Sequence, residues 1–219
     1  MSGHRLYIAA KPPVSGLVKT RLARAIGEYA ATALYAAFLV DIAAVVRDQG
    51  ISAGWFIPSQ PEWEPPLLGP RQLPTRWQRG ASWSRRQAQL FADCFQDSEG
   101  PVVLMASDSP QLTGSEISAA VGALAECDVV LGPVLDGGYY LVGMRAAYDI
   151  LGTVEMTTER VSAEVLAGAR ALHLTSAVLP ATFDVDVVAD LDLLAAGVAT
   201  RPHLLATASA LAALVVPAR

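Results

Sequence analysis

Short apolar runs recur along the chain with helix-like stretches between them. Leu6 to Ala10, Ala53 to Ile57, Val102 to Ala106 and Val129 to Leu131 are such runs, and each is followed by polar or Gly-containing residues. A run of about three to five apolar residues without polar alternation suits a strand covered on both faces. Between them, Glu28 to Asp48 places Leu34, Ala37, Phe38, Asp41, Ile42 and Val45 at helical spacing and stops near Gly50. Ser84 to Asp97, a stretch opening at Thr113, Thr158 to Ala171 and Val187 to Ala196 read as further helices, with Tyr140 to Val142 and His173 to Leu179 as further strands. Thr113 and Glu116 have the spacing of a capping box. This alternation predicts an α/β fold, a three-layer Rossmann-like sandwich around a mostly parallel central sheet.

Length and charge narrow the classes. The 219 residues suffice for one domain with a full core, and 53% of them are hydrophobic. We therefore expect a single domain over residues 1–219, with residues 203–219 as a C-terminal packing helix. The apolar tail from Leu204 to Val216 is too short to span a bilayer, which takes about 20 residues. The N-terminal Met1 to Arg5 lacks a signal-peptide apolar region. A cytoplasmic protein with no membrane partner is the expectation. A net charge of −5 argues against a nucleic-acid-binding protein. Cys94 and Cys127 lie far apart without metal spacing, and read as free thiols. His4, His173 and His203 read as solvated or packed.

In open parallel sheets, ligands bind at the carboxyl ends of the strands, and four segments fall there. The first is AKPPVSGLVKTRLAR, Ala10 to Arg24, which gathers Lys11, Lys19, Arg21 and Arg24 around Pro12, Pro13 and Gly16. It is not a Walker loop, because Val18 precedes Lys19 where that pattern requires Gly. Cationic side chains leading into a helix suit a phosphate; solvated surface lysines are the alternative. The second is VVLMASDSP, where Asp108 follows an apolar strand and either projects into the crevice or caps its turn. The third is LGPVLDGGYYLVG, whose Asp136-Gly137-Gly138 turn either lets a ligand approach the backbone or closes a hairpin. The fourth is FDVDVVADL, where Asp184 and Asp186 share one face if extended and Asp190 falls in a first helical turn. Asp108 with Asp184 and Asp186 would form a Mg²⁺ site of hard oxygen ligands, completed by phosphate and water. The Trp- and Pro-rich stretch from Trp55 to Trp83 is the least regular, and suits either an acceptor pocket or a contact within a homodimer.

GLVKTRLA, SDSP, GPVLDGGYYLVG and FDVDVVADL, in that order, resemble the bacterial DUF2064 family of GT-A-type glycosyltransferase-like proteins. They are also similar to the 2-phospholactate and phosphoenolpyruvate guanylyltransferases and, more distantly, to the molybdenum-cofactor guanylyltransferases. The resemblance runs from Leu6 to about Leu191. It implies a nucleotide-diphospho-sugar-transferase fold. It implies catalytic roles for Lys19, Arg21 and Asp108, and a nucleotide site of Ala9, Ala10, Lys11, Gly16, Lys19, Arg21, Arg85 and Ser107. It also implies an acceptor site of Asp136, Gly137, Gly138, Tyr139, Thr157 and Thr158, and a metal, Mg²⁺ or Mn²⁺, on Asp108, Asp184 and Asp186. Only Arg85 survives from the Gly-Asp-Leu-Gly-Glu-Arg run of the family, and Val187-Val188-Ala189 stands where Thr-Pro-Glu is usual.

Three activities are consistent with this set. One is transfer of a nucleotidyl group from an NTP to a small anionic, phosphorylated acceptor, which needs no general base. The second is glycosyl transfer from an NDP-sugar, with Asp136 as the candidate base. The third is nucleotide binding without catalysis.

Overall fold

The computed structural model describes residues 5–58, 63–97 and 100–214. His4, Gln60 and residues 215–219 of the expected terminal helix lie outside them. The order is β1 (Arg5–Ala9), α1 (Thr20–Ile26), α2 (Glu28–Asp48), β2 (Ser52–Ile57), β3 (Arg76–Trp77), α3 (Trp83–Asp97), β4 (Val102–Ala106) and α4 (Gly114–Ala123). It continues with β5 (Val129–Pro133), β6 (Tyr139–Met144), α5 (Val161–Ala171), β7 (Ser176–Val178), α6 (Asp190–Val198) and α7 (Leu205–Ala212).

The strands form one sheet in the order β3-β2-β1-β4-β6-β5-β7. All its pairings are parallel except those of β6, which runs antiparallel to β4 and β5. The continuous apolar runs have the expected cause. Successive residues of β1 alternate between two cores, Leu6 and Ile8 into one, Tyr7 and Ala9 into the other. The first core is closed by α1, α2, α4, α6 and α7, the second by α3 and α5.

Helix α2 is long and apolar enough to cross a membrane by length and composition, but Leu34, Phe38, Ile42 and Val46 are buried in the first core. Asp41, which interrupts that apolar pattern, is buried because its carboxylate accepts the amides of Ala206 and Thr207 at the start of α7 (3.0 and 2.7 Å).

The expected elements form, with shifted ends. The capping box of Thr113 and Glu116 is present at α4. Strand β7 is shorter than His173 to Leu179, because His173 adopts φ +58 as the chain leaves α5 and Thr175 bonds to Asp128. Helix α5 starts at Val161 rather than Thr158, since the Thr158 hydroxyl accepts the Arg160 amide in a turn. Helix α6 starts at Asp190 rather than Val187, because the Asp190 carboxylate accepts the amides of Asp186 and Val187 (2.7 Å each). It also runs one residue past Gly197. The Trp-rich stretch divides: Trp55 is fully buried, donates to the Pro66 carbonyl and meets Trp63 edge-on, whereas Trp77 and Trp83 are exposed.

Candidate active site

A cleft of about 910 Å³ opens along the carboxyl ends of β1, β4 and β5. Such a volume suits a nucleotide-sized ligand. Its floor is made by Ala9, Ala10, Ala106 and Ser107, and Lys11, Lys19, Arg21, Asp108, Asp136, Asp184 and Asp186 line it. All four segments singled out in the sequence therefore meet in one place.

The loop after β1 delivers its charge inward at Lys19. This residue has φ +47 and ψ +40, an unusual left-handed backbone for a side chain of this size, and forms the N-cap of α1. Its side chain is 3% exposed and runs beneath the cleft, with the ammonium 5.8 Å from the Tyr35 ring centroid and 6.0 Å from that of Phe38. There it forms an ion pair with Asp108 and stands 3.5 Å from an Asp186 oxygen. The pairing is electrostatic rather than a directed hydrogen bond. Arg21, largely exposed, donates to the other Asp186 oxygen at 3.0 Å. Lys11 is exposed at the mouth.

The acidic segment is held to the end of β4 by residues the sequence reading passed over. The Val185 amide donates to the Asp108 carbonyl (2.9 Å), the Ser109 hydroxyl to the Phe183 carbonyl (2.9 Å), and the Gln111 amide to the Thr182 hydroxyl (3.0 Å). Ser109 and Gln111 are both buried. Polar side chains flanking Pro110 directly after an apolar strand were the available signal. As a result Asp184 faces other acids. Burial, then the charges of Asp136, Asp186 and Asp108, push its carboxyl up to about 6.

Across the cleft, the Asp136 turn is a tight hairpin connection, with Asp136 accepting the Gly138 amide (2.9 Å). Gly137 does not line the cleft. It has φ +94, and a Cβ there would stand 2.0 Å from the Glu159 carbonyl oxygen, so glycine lets the Thr157–Glu159 segment lie across the turn. Gly138, Tyr139, Thr157 and Thr158 do line it.

Of the expected nucleotide contacts, Arg85 and Gly16 lie outside the cleft lining, and Ser107 lies within it. Arg85 is exposed and points away from the cleft, toward Gly152; its neighbour Arg86 lines the cleft instead, because one step along α3 turns the side chain by about 100°. Gly16 sits outside the lining, with the Glu28 carboxylate beside it. Ser107 is in the floor, but its hydroxyl is bonded to the Tyr35 hydroxyl (2.9 Å). Gln78 and Trp83 are added. Gln78 donates to the Phe56 carbonyl (2.8 Å), and Trp83 stacks on Phe56 at the cleft wall.

The acidic set can take a hard divalent ion, by its chemistry. Burial, then the neighbouring acids, raise the Asp184 carboxyl, and Mg²⁺ takes one or two protein carboxylates plus phosphate and water. Among the described residues no three such side chains form a ready cage, and Lys19 occupies Asp108 and approaches Asp186.

A family profile described as "Uncharacterized protein conserved in bacteria (DUF2064)" matches residues 47–158, just over half of the chain. The chain belongs to the DUF2064 family. The matched part contains Asp108, the Asp136 turn and Thr158, and stops short of Asp184. A solved structure from Desulfovibrio desulfuricans G20, provisionally named a nucleotide-diphospho-sugar transferase, is 28% identical to this DUF2064 protein. It superposes with a TM-score of 0.83 over 96% of this chain and 97% of its own. A Leptospira borgpetersenii cytidylyltransferase (10% identity, TM-score 0.55, 97% and 93% covered) shares the fold. So does CMP:2-keto-3-deoxy-manno-octonic acid synthetase complexed with CTP (12% identity, TM-score 0.50, 90% and 99% covered). No curated protein sequence matches the chain.

Proposed function

We propose that this DUF2064 protein is a nucleotide-dependent transferase that moves a nucleotidyl group from an NTP to a small phosphorylated acceptor, releasing pyrophosphate. The observation that carries the reading is the charge chain Asp108–Lys19–Asp186–Arg21 at the carboxyl edge of the sheet. In it, the ion-pair partners of the two cations among the described residues are carboxylates about 40% exposed, so a polyphosphate can take their place. Lys19 and Arg21 then neutralise the phosphate oxygens, with Lys11 at the mouth. Lys19 does so from a buried position where its charge is poorly screened. Asp108, Asp184 and Asp186 would hold Mg²⁺ or Mn²⁺, which supplies positive charge to the transferring phosphoryl group. A phosphate nucleophile is already ionised, so the chain needs no general base, only positioning. The fold shared with a synthetase complexed with CTP and with a cytidylyltransferase supports the nucleotide half of this reading.

A second reading, glycosyl transfer from an NDP-sugar, is favoured by one observation. Asp136, the candidate base of that reading, lines the same cleft as the cationic loop, the position a base beside an acceptor hydroxyl requires. The name of the Desulfovibrio protein points the same way.

Thermal unfolding with a panel of nucleotides, with and without Mg²⁺, separates the two, because a ligand that binds only the native state raises the midpoint. A Mg²⁺-dependent rise with one NTP supports nucleotidyl transfer and names the base. A rise with an NDP or NDP-sugar alone supports glycosyl transfer, and no rise with any nucleotide overturns both.

A further inference from the structure

We infer that Tyr35 is a positioning residue whose hydroxyl pins the phosphate loop to the strand end that carries Asp108. Tyr35 lies in the middle of α2, on the face turned to the sheet, and is 4% exposed. Strands β1 and β4 pair in register as far as Ala9 and Ala106. Beyond that pair the two chains separate, one into the basic loop, the other toward Asp108. The Tyr35 hydroxyl sits in this fork. It accepts the Lys11 amide at 3.0 Å and shares a hydrogen bond with the Ser107 hydroxyl at 2.9 Å. The same ring lies beside the Lys19 ammonium. One side chain thus touches the start of the loop, its buried cation and the residue before Asp108.

The sequence explains why this anchor is needed. Pro12 and Pro13 have no amide hydrogen, so the Lys11 amide is the only backbone donor from Lys11 to Pro13. Packing alone does not call for a hydroxyl here. A phenylalanine would keep the edge-on contact with Phe38. Burial, then the nearby charge of Asp108, holds the phenol protonated far above any working pH, so the pin does not titrate away. Ser107, which lines the cleft, is the other half of this pin.

The test compares Tyr35→Phe, Ser107→Ala, the double variant and a control, Val46→Ala, which trims a buried side chain of the same helix outside the cleft. Two properties are read beside the midpoint. Amide hydrogen exchange at Lys11, without ligand, reads the pin directly. Affinity for the NTP that shifts the wild type reads its consequence, and this arm rests on the nucleotide reading above. Tyr35→Phe should accelerate Lys11 exchange and weaken the NTP about tenfold, the loss expected for one structural hydrogen bond. The double variant should be no weaker than Tyr35→Phe alone, because both changes break one unit. Val46→Ala should lower the midpoint and leave the affinity unchanged. Wild-type exchange at Lys11 in Tyr35→Phe overturns the pin, and so does an affinity no different from that of Val46→Ala. If the wild type binds no nucleotide, the proposed function falls, and Lys11 exchange alone decides the pin.

Discussion

Asp128 and Asp184 stand at opposite ends of the same sheet, and their surroundings have opposite effects. Asp128, just before β5, accepts the Thr175 amide (2.9 Å) and hydroxyl (2.7 Å) and the Tyr148 hydroxyl (3.0 Å), and pairs with Arg145. These donors, Thr175 first, hold its carboxyl far below the usual range. Asp184, at the carboxyl edge, is pushed up to about 6 by burial and neighbouring acids. One end uses a carboxylate to fasten β5, β7 and the chain after β6. The other gathers carboxylates around Lys19 and Arg21 and leaves Asp184 held at a cost, a pattern common at functional sites.

The comparison breaks most sharply at Lys19, the cation that the cleft supplies for itself. Lys19→Met keeps the length of the side chain and fits between Tyr35 and Phe38. The lost partner, Asp108, is 42% exposed and readily hydrated, so the ligand-free midpoint should hardly move. Nucleotide affinity should fall about 100-fold, because a buried charge-assisted contact is worth roughly 2–3 kcal/mol. Titration calorimetry with the NTP identified above checks this. An affinity within threefold of wild type would mean that Lys19 is a structural ion pair and the phosphates lie elsewhere.

At the other end, Asp128→Asn should lower the midpoint by a few degrees at neutral pH and leave nucleotide binding intact. The sign with pH follows from linkage. A carboxyl depressed in the folded state binds fewer protons there than in the unfolded chain. Its stabilisation is therefore complete above the unfolded pKa of about 4 and is lost as pH falls below it. The wild type should lose stability through the acid range more steeply than Asp128→Asn. Parallel acid limbs would show that Asp128 fastens nothing.

Much of this contrast was legible in the sequence and part was not. Apolar runs placed the buried strands, because a strand buried on both faces leaves no periodicity to misread, but not β3, whose Arg76 and Trp77 form no such run. The strand-end rule then brought Lys19, Asp108, Asp136, Asp184 and Asp186 to one cleft. Ion pairing was not legible, since it depends on where a side chain goes from a left-handed backbone at Lys19. The choice between Arg85 and Arg86 is one helical step, below the precision of any loose motif. The hold on Phe183 by Ser109 and Gln111 spans more than 70 residues, and no local pattern encodes it. Asp128 was passed over because nothing near it in sequence reveals Thr175 as its partner.

The smallest effect sharpens the comparison best. If Asp184 is held at a cost, removing its charge should stabilise the protein that carries no ligand or metal. Its folded carboxyl is raised, so between about pH 4 and 6 the folded state binds more protons than the unfolded chain, and the penalty grows with pH until it is complete above 6. Asp184→Asn should therefore raise the midpoint by about 2–4 °C at pH 7.5, as relief of local charge crowding commonly does, and should change it little at pH 4. Thermal unfolding at the two pH values, in the presence of a chelator, measures it. A midpoint that falls at pH 7.5 would mean that Asp184 is fastened like Asp128, and that the two ends of the sheet differ in position rather than in kind.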